Sequence, residues 1–547
     1  MNTNMKNAFY RSACLFLLAI ILIYPNVKYA CTNNTGIGYI LTGLIFLLPI
    51  IAVVVFIPRK SLYCVLVTLL TVFSIIELTM VDLYKDYLFA GGVISTIKTN
   101  SQEATEFFHT NLGEVPHWLP LIILCVCSCL LYCKSSSLRY KLAGLSFAFL
   151  LPTSFIIYKL NYFYKQQITL RYYMDNRVWN RPPYNIYYQI WNAHMDLQRQ
   201  KQRTDVRHYS FGALRSIETD MQEIYIFAIG ESLRYDNISL NGKYHRSTTP
   251  RLESLKNLIL FDDYYSQACL TMYSVPQLVT RATPDNYKLN YIERSIIEPF
   301  RECGFKVFVI VSQTNLLSSE KYLSDGVDSL IVVPNVVKDG EILSGDKTIV
   351  HIIDSLVQQH DKLFIMTQFY GNHSFYSNYE KEFELYNPNS NNCNATQVRD
   401  SMMLINAYDN SILYTDYILS SIIEKINRPN TISAFMFVSD HGENIRKGGA
   451  GHGGNCNPTV QEYHVPYVFW WSDEYEKVFS EKVANAKLHK TSKLNGDNIF
   501  YCLCDMADIY LAEQYAHPRW SVFSPTFSEH ERLILVPDGK TCLHVDK

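Results

Sequence analysis

Five apolar stretches crowd the first 160 residues, and the rest of the chain is mixed in polarity. They run roughly from Ala13 to Tyr24, Ile40 to Ile57, Leu62 to Met80, Leu119 to Cys133 and Leu142 to Tyr158. A helix needs about 20 apolar residues to cross hydrocarbon. The second and third stretches approach that length, and Tyr10, Trp118 and Tyr132 extend others into the interface. A cleaved signal peptide is the alternative for the first stretch, but no small-residue cleavage site follows cleanly and more spans come after it. Five spans are therefore predicted, with a long loop, 81–118, between the third and fourth. Lys6, Arg11, Arg59, Lys60, Lys134, Arg139 and Lys141 mark the cytoplasmic sides. The N-terminus is then cytoplasmic, and everything after about Tyr158 lies outside.

The remaining chain is too long for one small core, so further domains are expected. The expected division is a transmembrane domain at 1–160, an aromatic-rich linker at 161–215 and a catalytic α/β domain at 216–547. The linker interleaves aromatics such as Tyr172, Trp179, Tyr187 and Trp191 with cations, which suits the headgroup layer. Arg181-Pro182-Pro183 breaks it in two. Within the long loop, Thr96 to Phe108 reads as a short helix on the membrane surface. A net charge of -2 gives a nucleic-acid partner no electrostatic support.

From about Ser216 the pattern alternates. Ile224–Ile229, Phe305–Ser312, Ser329–Pro334, Leu363–Phe369, Ser433–Val438 and Val465–Trp471 read as buried strands. Leu404 to Ile423 carries apolar residues every third or fourth position, as a packed helix does. Such alternation implies an α/β domain with a mostly parallel sheet. Cys269, Cys303, Cys393, Cys456, Cys502, Cys504 and Cys542 fall in the exported part, where disulfides can persist, but spacing does not give their pairing.

Candidate ligands sit just past strand ends. Glu231 follows the first strand, His373 the Leu363 strand, and Asp440-His441 the Ser433 strand. Ligands of open α/β sheets collect beyond the carboxyl ends of strands, so these residues are expected in one crevice with His452. Carboxylates and imidazoles without a thiol suit zinc or manganese. Thr271, in Thr271-Met-Tyr-Ser-Val-Pro276, is the candidate nucleophile. A free hydroxyl is a poor nucleophile at neutral pH, and a divalent cation lowers the pKa of an oxygen bound to it. His373 and His452 are placed at a second metal or at the substrate phosphate. The plainer reading of Thr271 is a helix cap, which is compatible with the first because a helix N-terminus also favours phosphate.

Several motifs occur together and in order. Gly230-Glu-Ser-Leu-Arg234, Asn237-Ile-Ser-Leu-Asn-Gly242 and Thr249-Pro250 precede the Thr271 turn. Ile405-Asn-Ala-Tyr-Asp-Asn410 with Thr415-Asp416, Val438-Ser-Asp-His-Gly-Glu443, Gly451-His-Gly453 and His464-Val-Pro466 follow it. This set resembles the bacterial inner-membrane phosphoethanolamine transferases, which include lipid A modifying and colistin-resistance enzymes of the sulfatase and alkaline-phosphatase superfamily. The resemblance implies a multi-pass inner-membrane protein with a periplasmic catalytic domain. It implies that Glu231, Thr271, Asp440 and His441 hold the first of one or two zinc ions. It also implies a phosphatidylethanolamine donor, a lipid A or other envelope-glycan acceptor and a phospho-threonine intermediate. Substrate contacts are carried over to Glu103, Asn315 and Lys321. The family's Asn eight residues before that acid is replaced by Ser95, and Ser319 stands four residues after Asn315, where the family has Lys. A monomer is the expected state. The runner-up is a phosphoglycerol transferase or a sulfatase-like or phosphatase-like hydrolase on the same fold. A sulfatase wants a modifiable Cys or Ser in a Cys/Ser-x-Pro-x-Arg setting, which the Thr271 turn lacks.

Overall fold

The computed structural model describes residues 3–33, 35–57, 59–84, 87–98, 118–132, 146, 148–156, 174, 178–201, 209–312, 323–333, 336–338, 341–373, 376, 379–388, 401–445, 451–452, 458–537, 539 and 541–546. They form two compact units, one of residues 1–97 and 111–196, the other of 98–110 and 197–547.

The first unit is helical. Its helices are α1 (Thr3–Asn33), α2 (Ile37–Val55), α3 (Lys60–Tyr84), α4 (Ala90–Lys98), α5 (Trp118–Leu131) and α6 (Asn185–Lys201), the last running past the unit's end. Three of them are long and apolar enough to cross a membrane, over Phe9–Asn33, Ile37–Val54 and Lys60–Asp82. These are the membrane-length helices among the described residues, against five spans expected. The fourth stretch is a shorter apolar helix, Leu119–Leu131. The fifth is helical over 148–156, and most of its other residues lie outside the described residues. Leu18, Leu22, Leu47, Val67, Leu70 and Leu121 interlock at the centre. Leu41, Val53, Leu62, Val65, Ile123 and Leu130 stay exposed, which suits a hydrocarbon surround better than water. Polar side chains join the helices where apolar packing gives no direction. Tyr63 OH lies 2.7 Å from both Cys14 Sγ and Ser128 Oγ. Asn185 Nδ2 donates to Glu77 Oε1 at 2.9 Å, and Asn26 Nδ2 to the Pro182 carbonyl at 2.9 Å. Helix α6 begins just after Pro183, where the sequence places the break. Most of the expected surface helix at 96–108 lies outside the described residues.

The second unit is built on a seven-stranded sheet. Its strands are β1 (Gln222–Gly230), β2 (Leu258–Phe261), β3 (Lys306–Val311), β4 (Ser329–Val332), β5 (Lys362–Gln368), β6 (Thr431–Ser439) and β7 (Tyr467–Trp471), in the order β2-β7-β6-β1-β5-β3-β4. The four pairings from β6 to β4 are parallel. The two pairings made by β7 are antiparallel. The sheet is thus mixed rather than uniformly wound, because β7 runs against both of its neighbours. Strand β2 was not expected; a four-residue apolar run is too short to be told from a helix turn by periodicity.

Both faces of the sheet are covered. Tyr225, Phe227 and Ile229 enter one core cluster, while Ile224, Ile226 and Ala228 enter the other, as the period of two demands. The first cluster also takes residues of α7 (Thr271–Val279) and α10 (Gly496–Met506). The second takes residues of α8 (Gly345–Val357) and α9 (Ser401–Ile426). Helix α9 buries Leu404, Ala407, Tyr408, Ile412, Leu419 and Ile423, the expected stripe. Cys269, Cys502 and Cys504 are buried, unbridged thiols; Cys393 and Cys456 lie outside the described residues.

Candidate metal and nucleophile centre

Strand register brings the candidate ligands together. Ser439 of β6 pairs with Gly230 of β1, and Ile229 pairs with Gln368 of β5, all in parallel. The next residues of three adjacent strands therefore leave the sheet along one edge. Asp440 N donates to the Gly230 carbonyl at 3.0 Å, and Asn372 N to the Glu231 carbonyl at 3.0 Å. Glu231, Asp440 and His441 are almost wholly buried there.

Thr271 is the first residue of α7, which has Leu270 at its N-cap. Its Oγ1 lies 3.3 and 3.2 Å from the two carboxylate oxygens of Glu231 and 3.2 Å from His441 Nε2. His441 Nε2 is also 3.1 Å from Glu231 and 3.4 Å from Asp440 Oδ2. His441 Nδ1 faces the Gly442 carbonyl at 2.9 Å. A carbonyl only accepts, so Nδ1 carries a proton, and with a cation bound Nε2 would offer its lone pair to it.

The next layer fixes these groups. Asp440 Oδ1 accepts from the backbone of His441 at 2.7 Å and of Ser232 at 3.2 Å. The Ser232 hydroxyl donates to Glu231 at 3.0 Å. Tyr408 of α9 accepts from Arg234 N at 2.9 Å and donates to the Ser232 carbonyl at 2.6 Å. Ser266 and Ser274 both donate to the Asp440 carbonyl.

Burial and mutual charge act in opposition on the cluster. Burial would raise Glu231, yet the neighbouring His441, His373 and His452 hold it well below the usual carboxylate range. Burial, then the charge of Glu231, drives Asp440 upward. Burial would lower His441, but the carboxylates of Asp440 and Glu231 raise it. Asp440 Oδ2 finds no hydrogen-bond donor among the described residues. Two buried carboxylates, one oxygen lacking a donor and an imidazole lone pair form an oxygen-and-nitrogen set that fits a divalent cation such as zinc.

His452 stands closer than expected. Its ring centroid is 4.0 Å from that of His441, and ligand atoms of Glu231, His441 and His452 all lie within 4.8 Å of one another. His373 is one step further out, its ring 6.4 Å from that of His452 and 5.2 Å from that of Tyr370. Glu443 was quoted in the sequence motif without a role. It is buried, and its Oε2 lies 3.2 Å from His452 Nδ1, a pairing that orients the ring. The signal was an acid in the same Asp440-to-His452 segment, but only folding shows which histidine it meets. Glu103, Asn315 and Lys321 lie outside the described residues.

The sulfatase family profile matches residues 223–509. The chain therefore belongs to the sulfatase family, and a helical region with membrane-length helices precedes the matched residues. Phosphoethanolamine transferase EptA of Escherichia coli K12 is 25% identical over 300 residues, covering 53% of this chain and 54% of the relative. The chain thus spans about half the length of the curated relatives it matches. The integral membrane lipooligosaccharide phosphoethanolamine transferase A of Neisseria meningitidis shares the fold at TM-score 0.73 and 19% identity, over 93% of this chain and 98% of that one. The C-terminal periplasmic domain of Escherichia coli EptC, solved in complex with zinc, matches at TM-score 0.53 and 22% identity, over 61% of this chain and 95% of that domain.

Proposed function

We propose that the chain is a membrane-anchored, zinc-dependent phosphoethanolamine transferase. Thr271 takes the headgroup from phosphatidylethanolamine and passes it to lipid A or another envelope glycan. The Thr271 hydroxyl between Glu231 and His441, at the strand edge where Asp440 is buried, carries this reading. Relatives named as phosphoethanolamine transferases and a zinc-bound fold relative support it.

Glu231, Thr271, Asp440 and His441 would hold the first ion, with His452 beside them and His373 further out towards the phosphate. When bound, zinc supplies positive charge that lowers the pKa of the Thr271 hydroxyl and offsets charge on the phosphoryl oxygens. Glu231 and His441 orient that hydroxyl. In the first step Thr271 Oγ1 bonds to phosphorus, the bond from phosphorus to the glycerol oxygen breaks, and diacylglycerol departs with a proton. In the second, the acceptor oxygen attacks phosphorus and Thr271 regains its hydroxyl. The nine-residue helix α7 begins at Thr271, so its amides point towards the transferred phosphate.

The domain division at 1–160, 161–215 and 216–547, with five crossings of the inner membrane, a cytoplasmic N-terminus and a periplasmic catalytic domain, belongs to the same proposal. It holds the centre at the headgroup layer, which raises the effective donor concentration. Glu103, Asn315 and Lys321 remain proposed donor contacts, resting on family resemblance.

Incubating the purified full chain with phosphatidylethanolamine vesicles should add an ethanolamine-phosphate mass to the Thr271 peptide. Thr271→Ala should lose that adduct and transfer altogether. A glycerol-phosphate adduct would favour the phosphoglycerol reading, and a Thr271→Ala enzyme with full turnover would overturn the nucleophile.

A further inference from the structure

A further buried carboxylate, outside the ligand set, holds the turn next to the centre. Asp346 lies in the first turn of α8 and is 4% exposed. Its Oδ1 accepts from Tyr370 N at 2.9 Å and from the Ser312 hydroxyl at the end of β3. Its Oδ2 accepts from Gly371 N at 3.0 Å. Both oxygens are thus committed to the turn that leaves β5.

That turn serves the centre twice. Asn372 N bonds the Glu231 carbonyl at 3.0 Å, and His373 N bonds the Tyr370 carbonyl at 3.3 Å. Gly371 lies so near that a Cβ on it would come within 3.0 Å of Glu231 N and 3.3 Å of Glu231 Cβ, and its φ of +54° is one a side chain resists. Helix α8 can deliver Asp346 here because residue 345 is glycine: a Cβ there would fall 2.0 Å from the Val333 carbonyl oxygen.

Resting on the reading of the centre given above, we infer that Asp346 is a positioning residue. It clamps the Tyr370–His373 turn and so sets where Glu231 and His373 stand relative to Thr271. Ser312 locks the carboxylate in place, and its Oγ also accepts from Tyr370 N at 2.7 Å.

The test is Asp346→Asn in the full-length protein. The amide has the carboxylate's shape, but whichever way it turns, its NH2 confronts a backbone N–H, of Tyr370 or of Gly371. Zinc affinity, by competition with a chelating dye, should weaken at least tenfold. kcat should fall at least tenfold while KM for the lipid donor moves less than threefold. Ser312→Ala, which keeps the charge but frees the carboxylate to rotate, should weaken zinc binding at least threefold and carries the test if Asp346→Asn does not fold. A merely structural role lowers the melting temperature only. Zinc affinity and kcat equal to wild type well below that temperature would overturn the inference. A wild-type chain that binds zinc but transfers nothing would sink the proposed function and leave the zinc arm standing.

Discussion

At the scale of single residues, tautomer and orientation decide more than identity. His441 and His452 each turn Nδ1 towards an acceptor, the Gly442 carbonyl and the Glu443 carboxylate, which leaves Nε2 of each ring as the other polar atom. Removing such an outer partner typically costs about 10–100-fold in metal affinity or activity. Glu443→Gln should therefore lower kcat by about that factor, with the fold intact by circular dichroism, since the amide can still accept one hydrogen bond but no longer carries charge. A rate within twofold of wild type would mean that His452 orients without it. The ligand types were legible in the sequence because an acid or histidine lies just past three of the apolar runs, at Glu231, His373 and Asp440-His441. Glu443 was not, since its role is a contact with a residue across a loop.

At the scale of elements, the strand ends were readable and the strand directions were not. The apolar runs at Ile224, Leu363 and Ser433 gave buried strands because both of their faces are covered. Tyr467–Trp471 is equally apolar, and nothing in its composition says that it runs antiparallel to β6. Helix α9 shows how an element is tied to the site from behind. Asp416 on it is buried and accepts Arg251 N and Leu252 N, both at 2.9 Å. Burial pushes this carboxyl up to about 7. A folded value above the unfolded one, about 3.9, means the proton is held more tightly in the native state. The associated stability is complete below about 4 and is lost as pH rises through about 7. The melting temperature of wild type minus that of Asp416→Asn should therefore fall between about pH 4 and pH 8. A difference flat in pH would show that Asp416 is ionised throughout.

At the scale of the whole molecule, the division of labour was the most legible feature. Apolar helices with exposed leucines and valines make one unit, and a covered sheet with a polar edge makes the other. Hydropathy reads the first directly. The second needed motif order, because the ligands come from positions as far apart as Glu231 and His452 and only parallel register gathers them.

The central claim is that this edge holds a cation against the Thr271 hydroxyl. Diffraction from zinc-loaded crystals at the zinc absorption edge tests it. The account predicts an anomalous peak about 2.0–2.2 Å from Thr271 Oγ1, a Glu231 oxygen, Asp440 Oδ2 and His441 Nε2. A fully loaded protein with its peak elsewhere, and Thr271 touching no metal, would contradict it.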